Sequence, residues 1–151
     1  MSHLEFDEAA IAALGAALAA VLCPGDTIAL RGDLGAGKTT LARAIIAALG
    51  WLGEVPSPTY TLVQSYDPPD VRVPVWHIDL YRLASPDDAD ALGLFEADAA
   101  LLIEWPQRLG ARLPANALIL TRSGSGDAPR HLTWRVPPAW EGRWPPQSLQ
   151  T

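Results

Sequence analysis

Residues 27–40 read TIALRGDLGAGKTT, and this stretch decides the fold that we predict. Residues 27–31 form an apolar strand pattern, and residues 32–39 match the phosphate-loop pattern G-x-x-x-x-G-K-[ST]. Residues 40–49 then place apolar side chains at helical spacing, with Gly50 in position to end a helix. Such a strand, loop and helix aim main-chain N–H groups and a helix N-terminus at one point, where a phosphate can bind. The stretch therefore predicts a P-loop nucleotide-binding protein.

The basic residues support this interpretation of the loop. Lys38 is the single lysine among eleven basic residues, and the other ten are arginines. A phosphate loop needs a compact ammonium on a flexible stem, a role that a planar guanidinium does not easily fill. We expect Lys38 to reach the β- and γ-phosphates of a nucleotide and the Thr39 hydroxyl to ligate Mg²⁺.

The composition excludes several other classes of protein. A chain of 151 residues with 49% hydrophobic residues fits one domain with a substantial core. Its net charge of −6 is unsuited to direct nucleic-acid binding, which needs clustered lysine and arginine. Cys23 is the only cysteine, so we expect a small buried hydrophobe in a reducing compartment. We see no membrane span and no signal peptide, and we expect a cytoplasmic protein.

The remaining pattern contains several strands with little helix between them. Ser85 is expected to cap a helix that Pro86 begins, and Pro74 to place its strand at an edge or to break it. The predicted elements are a helix over 7–22 capped by Asp7, strands over 60–66, 71–80 and 100–105, and a final pair of strands over 117–122 and 131–136. We predict an α/β, P-loop NTPase-like three-layer fold with a mixed central sheet over residues 1–136. The Pro- and Trp-rich tail, 137–151, is expected to be irregular or disordered.

A P-loop also needs an acidic partner for the metal, usually at the end of a buried strand. Asp79 ends the apolar run 75–78, and Glu104 ends the run 101–103. Both carboxylates are placed where an acid at the carboxyl edge of a sheet faces the ligand crevice. The spacing alone leaves open which of them is the partner. We interpret His77 as a packed or edge-strand residue rather than as a general base.

Four blocks of sequence frame most of residues 7–136. They are GDLGAGKTT at 32–40, SPTYTLV at 57–63, HIDLYRL at 77–83 and IEWP at 103–106. In their order and spacing these blocks together resemble the TsaE (YjeE) family, ATPases of bacterial tRNA threonylcarbamoyladenosine synthesis. The tail beyond residue 136 is outside this resemblance.

The resemblance implies roles for the residues at matching positions. Thr39 and Glu104 would hold Mg²⁺, with Lys38 acting on the phosphates. Asp79 would be a second essential acid, near the metal or the attacking water. Contacts with ATP would come from the loop and from one late arginine, namely Gly35, Ala36, Gly37, Lys38, Thr39, Thr40 and Arg130. The segment Ser57–Thr61 would respond to the γ-phosphate, and Trp105 would lie near the nucleotide.

The resemblance also implies partners. The chain would bind and hydrolyse ATP to drive or reset a complex of the TsaD and TsaB proteins. That complex makes N6-threonylcarbamoyladenosine (t6A) in tRNAs that read ANN codons. The chain itself would not transfer the carbamoyl group, and it would meet tRNA only through the complex.

Two other functions share the phosphate loop. A small-molecule kinase usually needs an Arg-rich lid over its acceptor site, and the arginines here are scattered. A GTP-dependent switch of the Ras type needs N-K-x-D, which this sequence lacks. A substrate screen for phosphoryl acceptors would revive the first alternative, and competition between ATP and GTP would test the second.

Overall fold

The computed structural model describes residues 3–6, 10–32, 38–56, 58, 62–124 and 130–145. Nine helices and strands make up the framework of this part of the chain. They are β1 His3–Phe6, α1 Ile11–Val21, β2 Thr27–Gly32, α2 Lys38–Ala48, β3 Val63–Tyr66, β4 Val75–Asp79, β5 Ala100–Glu104, β6 Leu118–Ser123 and β7 Arg130–Arg135. Short 3₁₀ segments lie at Pro86–Leu92, Leu94–Glu96, Pro106–Arg112 and Pro138–Trp140.

The seven strands form one mixed sheet in the order β1-β7-β6-β2-β5-β4-β3. The four central strands β6, β2, β5 and β4 run parallel, whereas β3, β7 and β1 pair antiparallel with their neighbours. The prediction of an α/β fold with a mixed central sheet is therefore confirmed. Because parallel strands share a direction, β2, β4, β5 and β6 all end at one edge of the sheet.

Each face of the sheet carries its own apolar cluster, which gives the fold three layers. Along β5, Ala100 and Leu102 join the cluster formed with α1 and α2. Leu101 and Ile103 join the opposite cluster, which includes residues of the 3₁₀ segments. This alternation follows from the two-residue period of a strand. By the same alternation, Glu104 lies on the helix-bearing face at the edge where the central strands end.

Most predicted elements are present with shifted boundaries. The strand over 60–66 is described from Val63, and the strand over 71–80 begins at Val75, directly after the break predicted at Pro74. Ser85 caps the segment Pro86–Leu92 as predicted, its hydroxyl accepting a 3.1 Å hydrogen bond from the Asp87 N–H, but this segment is a 3₁₀ helix. No sequence pattern predicted β1, a four-residue edge strand that pairs with β7. The predicted cap Asp7 lies outside the described residues.

The described part of the predicted irregular tail, residues 137–145, has an irregular backbone but packs against the core. Trp140 and Trp144 are almost completely buried and belong to the cluster under α1 and α2. Arg143 donates hydrogen bonds of 2.7 and 3.0 Å to the two carboxylate oxygens of Asp26. The hydrogen bond to Asp26 raises the pKa of the Arg143 guanidinium. The segment is bound to the core because its tryptophans bury large apolar surfaces there.

Cys23 is exposed, so the expectation of a small buried hydrophobe was wrong. It lies in the turn between α1 and β2, where its N–H donates a 2.7 Å hydrogen bond to the Asp26 carboxylate. Turn residues carry main-chain groups that need polar partners, so turns usually run over the surface.

Within the described ranges, no helix has the length and apolar character needed to cross a membrane.

Candidate functional site

The first turn of α2 meets the end of β5 at the carboxyl edge of the sheet. The Thr39 hydroxyl donates a 2.8 Å hydrogen bond to Oε1 of Glu104. Thr39 is the last residue of the phosphate-loop pattern, and Glu104 is the last residue of the central strand β5. Because β5 pairs with β2, the strand that leads into the loop, the two residues meet although they are far apart in the sequence. The structure therefore joins the two predicted magnesium ligands.

Glu104 has a second partner in the same layer of the sheet. Nε2 of His77 lies 2.6 Å from Oε2 of Glu104. His77 is fully buried, and Glu104 is 2% exposed. In the β4–β5 register His77 is paired with Leu102, so its bond to Glu104 runs diagonally to the next residue on the same face. Both carboxylate oxygens of Glu104 are thus hydrogen-bonded, as a buried carboxylate requires.

Asp79 lies directly opposite Glu104 in the pairing of β4 with β5. Its Oδ1 accepts a 2.9 Å hydrogen bond from the Tyr81 N–H, which closes a tight turn after β4. Its own N–H donates to the Leu62 carbonyl at 2.9 Å, where the chain enters β3. The structure thus brings the second predicted acid to the same edge as Glu104, on an adjacent strand.

Trp105 follows Glu104 with a left-handed backbone at φ 59° and ψ 49°. This conformation is uncommon for a residue other than glycine, and it turns the chain sharply away from the sheet. The Trp105 ring lies 4.9 Å from the Tyr81 ring, and the Arg108 guanidinium is 6.0 Å from the centre of the Tyr81 ring. An aromatic pair with a nearby cation therefore borders the two acids.

The chemistry of the residues at this edge fits a magnesium ion. Thr39 and Glu104 supply oxygen atoms, which are the ligands that Mg²⁺ prefers. Mg²⁺ is commonly held by one or two carboxylates together with waters and substrate phosphates. The described residues contain no group of three or more His, Cys, Asp or Glu side chains arranged to hold a metal. A site with so few protein ligands suits an ion that binds together with a nucleotide.

Other predicted residues are placed only in part. Lys38 is the first residue of α2, but its side chain and all of Gly35, Ala36 and Gly37 lie outside the described residues. Thr40 is in α2 and exposed. Arg130 begins β7, which is separated from β5 by β6 and β2, and its side chain is not described. Ser57 and residues 59–61 of the predicted γ-phosphate segment also lie outside the described part. Their roles stay predictions.

Arg122 was missed by the sequence reasoning. It is 2% exposed and lies opposite Gly32 in the pairing of β2 with β6, where the phosphate loop begins. A buried guanidinium is uncommon and needs hydrogen-bonding partners. The alternation of β6 was the available signal. Leu118 and Leu120 face α1 and α2, and Arg122 is the next residue on that apolar face, so its burial could have been predicted.

The class of protein follows from how these elements are arranged. The parallel strand β2 leads into a phosphate-loop sequence, and the helix α2 that follows meets Glu104 at the end of β5, as in a P-loop NTPase-like α/β protein. Comparison with known proteins gives a more particular assignment. Residues 6–132 match the sequence model of a family described as "Threonylcarbamoyl adenosine biosynthesis protein TsaE". The chain belongs to the TsaE family.

Individual relatives agree with this assignment. The tRNA threonylcarbamoyladenosine biosynthesis protein TsaE of Bacillus subtilis is 38% identical over 128 residues, which cover 83% of this chain and 77% of the relative. The protein of the same name from Mycobacterium tuberculosis H37Rv is 38% identical over 132 residues, covering 80% and 78%. The crystal structure of Bacillus subtilis YdiB superposes with a TM-score of 0.74 at 28% identity, covering 95% of this chain and 93% of YdiB.

Proposed function

We propose that this protein is a magnesium-dependent ATPase that acts in t6A modification of tRNAs that read ANN codons. The observation that carries the proposal is the 2.8 Å hydrogen bond from the Thr39 hydroxyl to Glu104. It connects the first turn of a phosphate-loop helix to an acid at the end of a neighbouring parallel strand. Membership of the TsaE family supports the pathway, and the names of the relatives support tRNA as the final substrate.

Each residue of the site has a distinct role in this proposal. The ammonium of Lys38 binds the β- and γ-phosphates and stabilises the charge that develops as the γ-phosphoryl group leaves. Thr39 and Glu104 hold Mg²⁺, which when bound neutralises charge on the phosphate oxygens. Asp79, which lies opposite Glu104 at the same edge of the sheet, orients the attacking water. The main-chain N–H groups of residues 35–40, together with Arg130, bind the rest of the nucleotide.

The partners in this proposal are TsaD and TsaB, with hydrolysis driving or resetting their complex in the cytoplasm. The net charge of −6 argues against strong direct contact with tRNA, because phosphate contacts need clustered cations. A change in loop order on ATP binding and hydrolysis would be the signal that the partners recognise.

The experiment that tests the proposal measures ATP hydrolysis by the purified protein alone, with TsaB and TsaD, and with both plus tRNA. Strong stimulation by the complex and dependence on Mg²⁺ are expected. The Lys38→Ala variant serves as the inactive control, because it removes charge that stabilises the transition state. Near-normal turnover by this variant would overturn the assignment of the site. Preference for GTP over ATP in competition would instead favour a GTP-dependent switch.

A further inference from the structure

We infer that His77 is a positioning residue that fixes the Glu104 carboxylate for magnesium, and this inference rests on the proposed function. The two residues come from adjacent parallel strands, and His77 has no part in the site as assigned so far. Nε2 of His77 contacts Oε2 of Glu104 at 2.6 Å, whereas Oε1 of Glu104 accepts the hydrogen bond from Thr39 at 2.8 Å. The imidazole therefore occupies one carboxylate oxygen and leaves the other directed at the phosphate-loop helix.

The contacts of His77 favour an indirect role over direct action on a substrate. Its side chain is 0% exposed, and its Nε2 contacts the Glu104 carboxylate. A general base must lie within hydrogen-bond reach of the proton that it removes. His77 can therefore influence chemistry at this edge only through the residue that it contacts, which is Glu104.

The hydrogen bonding of the ring shows which contact matters. A carboxylate that binds Mg²⁺ is ionised and only accepts hydrogen bonds, so in the metal-binding form Nε2 would be the donor of this bond. Nδ1 is buried and has no hydrogen-bond partner among the described residues. A buried polar atom without a partner lowers stability, and an apolar residue of similar volume would avoid that loss. The bond to Glu104 is the feature of His77 that an apolar residue could not reproduce.

The orientation of Glu104 depends on this bond. A glutamate side chain has several rotatable bonds, and Glu104 has two described hydrogen-bond partners for its carboxylate, Thr39 and His77. Thr39 belongs to the first turn of α2, whereas His77 belongs to β4, a strand paired on both sides within the sheet. If the Thr39 hydroxyl turned to a metal, the bond to His77 would still hold the carboxylate. Hydrogen-bond partners of metal-binding carboxylates typically contribute about 10–100-fold to metal affinity or activity.

The test compares His77→Leu, which removes the donor, with His77→Gln, whose amide N–H can replace it. The affinity for ATP is measured by calorimetry in EDTA and in excess Mg²⁺, and the apparent affinity for Mg²⁺ is measured at saturating ATP. We expect His77→Leu to weaken apparent Mg²⁺ affinity about 10-fold or more and to leave ATP affinity in EDTA unchanged. His77→Gln should recover most of the Mg²⁺ affinity. Trp76→Phe, a change at the neighbouring residue on the opposite face, is the control and should alter neither affinity.

A double variant separates positioning from general damage. If His77 acts through Glu104, His77→Leu combined with Glu104→Gln should bind Mg²⁺ no more weakly than Glu104→Gln alone. Additive losses in the double variant, or an equal loss of ATP affinity with and without Mg²⁺, would overturn the inference. If His77→Leu binds Mg²⁺ as tightly as the wild-type protein does, the inference is overturned and the proposed function is left intact. If Mg²⁺ does not change the ATP affinity of the wild-type protein at all, the proposed function is overturned, and the inference with it.

Discussion

Thr39 and Glu104 are 65 positions apart in the chain, yet the Thr39 hydroxyl donates a 2.8 Å hydrogen bond to the Glu104 carboxylate. Two independent elements are needed for this contact, because α2 starts at Lys38, within the phosphate-loop pattern, and β5 pairs with the strand before the loop. The contact connects the region expected to bind phosphate to the sheet.

Glu104→Gln is expected to lower the apparent affinity for Mg²⁺ at saturating ATP while nucleotide binding in EDTA persists. The amide keeps the shape of the side chain and can still accept a hydrogen bond from Thr39, but it lacks the negative charge that Mg²⁺ prefers. Titration of hydrolysis with Mg²⁺ measures the effect. An unchanged titration would transfer the role of metal partner to Asp79, the alternative that the sequence left open.

Asp79→Asn is expected to abolish most hydrolysis and to leave both folding and ATP binding intact. The amide oxygen can still accept the 2.9 Å hydrogen bond from the Tyr81 N–H, so the turn after β4 is retained while the charge is lost. Asp79→Ala removes the acceptor as well and should also lower the melting temperature. Hydrolysis rates and thermal unfolding of the two variants separate the chemical role from the structural one. Wild-type turnover by Asp79→Asn would contradict the assignment of an essential acid.

Trp105 is expected to report nucleotide binding through its fluorescence. It follows Glu104 directly, and its ring packs at 4.9 Å against Tyr81 beside the two acids. The chain has six tryptophans, so the test requires removal of single rings. An emission change on addition of ATP and Mg²⁺ should disappear in Trp105→Phe. It should persist in Trp51→Phe, because Trp51 follows the opposite end of the eleven-residue helix α2, about 16 Å from its first turn. Persistence of the signal in Trp105→Phe would place its source at another ring.

Gly15→Ala is expected to destabilise the protein, although alanine favours a helix more than glycine does. Gly15 lies in α1 against α2, and a Cβ atom there would lie 2.6 Å from the carbonyl carbon and the Cβ of Ala44. The carbonyl carbon is part of the backbone and the Cβ is bonded directly to it, so neither atom can move aside without a shift of the helix. The two helices must therefore separate. Overpacking of this kind costs about 1–3 kcal/mol. Denaturant unfolding measures the change, and a gain in stability would show that the helices can separate freely.

The control for Gly15→Ala is Ala16→Ser, a change at the next residue of α1, which is exposed. Its effect should be limited to the small difference in helix propensity between the two residue types.

Several features could be predicted because each has a local signal in the sequence. They are the strand and helix that flank the phosphate loop, the acids at the strand ends and the mixed sheet. Residues 32–39 form a specific motif, and Asp79 and Glu104 directly follow short apolar runs. The bond between His77 and Glu104 could not be predicted, because it depends on the register of β4 against β5. A change of register by one residue would direct the two side chains to opposite faces.

Burial of the tail was missed for a similar reason. Pro-rich sequence is typical of irregular chain, and the described part of the tail, residues 137–145, contains only short 3₁₀ and turn segments. A segment with an irregular backbone can still be ordered when its large side chains are buried in the core. Trp140 and Trp144 are buried in this way, in a cluster whose other members come from distant parts of the sequence.

Arg143→Ala is expected to destabilise the protein more than Arg112→Ala, although both arginines form ion pairs with aspartates. The Arg143 guanidinium contacts both carboxylate oxygens of Asp26, whose side chain is 11% exposed, and lies 4.2 Å from the centre of the Trp140 ring. Loss of Arg143 leaves the mostly buried carboxylate without its cation and with only the hydrogen bond from the Cys23 N–H among the contacts described above, a loss that costs roughly 1–3 kcal/mol. Arg112 pairs with Asp87 and Asp90, whose side chains are 81% and 66% exposed, so water replaces the lost partner and little stability is lost. Denaturant unfolding of the two variants at low and high salt measures the difference between their losses in the free energy of unfolding. High salt should reduce this difference little, because the ion pair of Arg143 with Asp26 is screened less than an exposed pair. Equal losses would mean that the tail is bound to the core by its tryptophans alone.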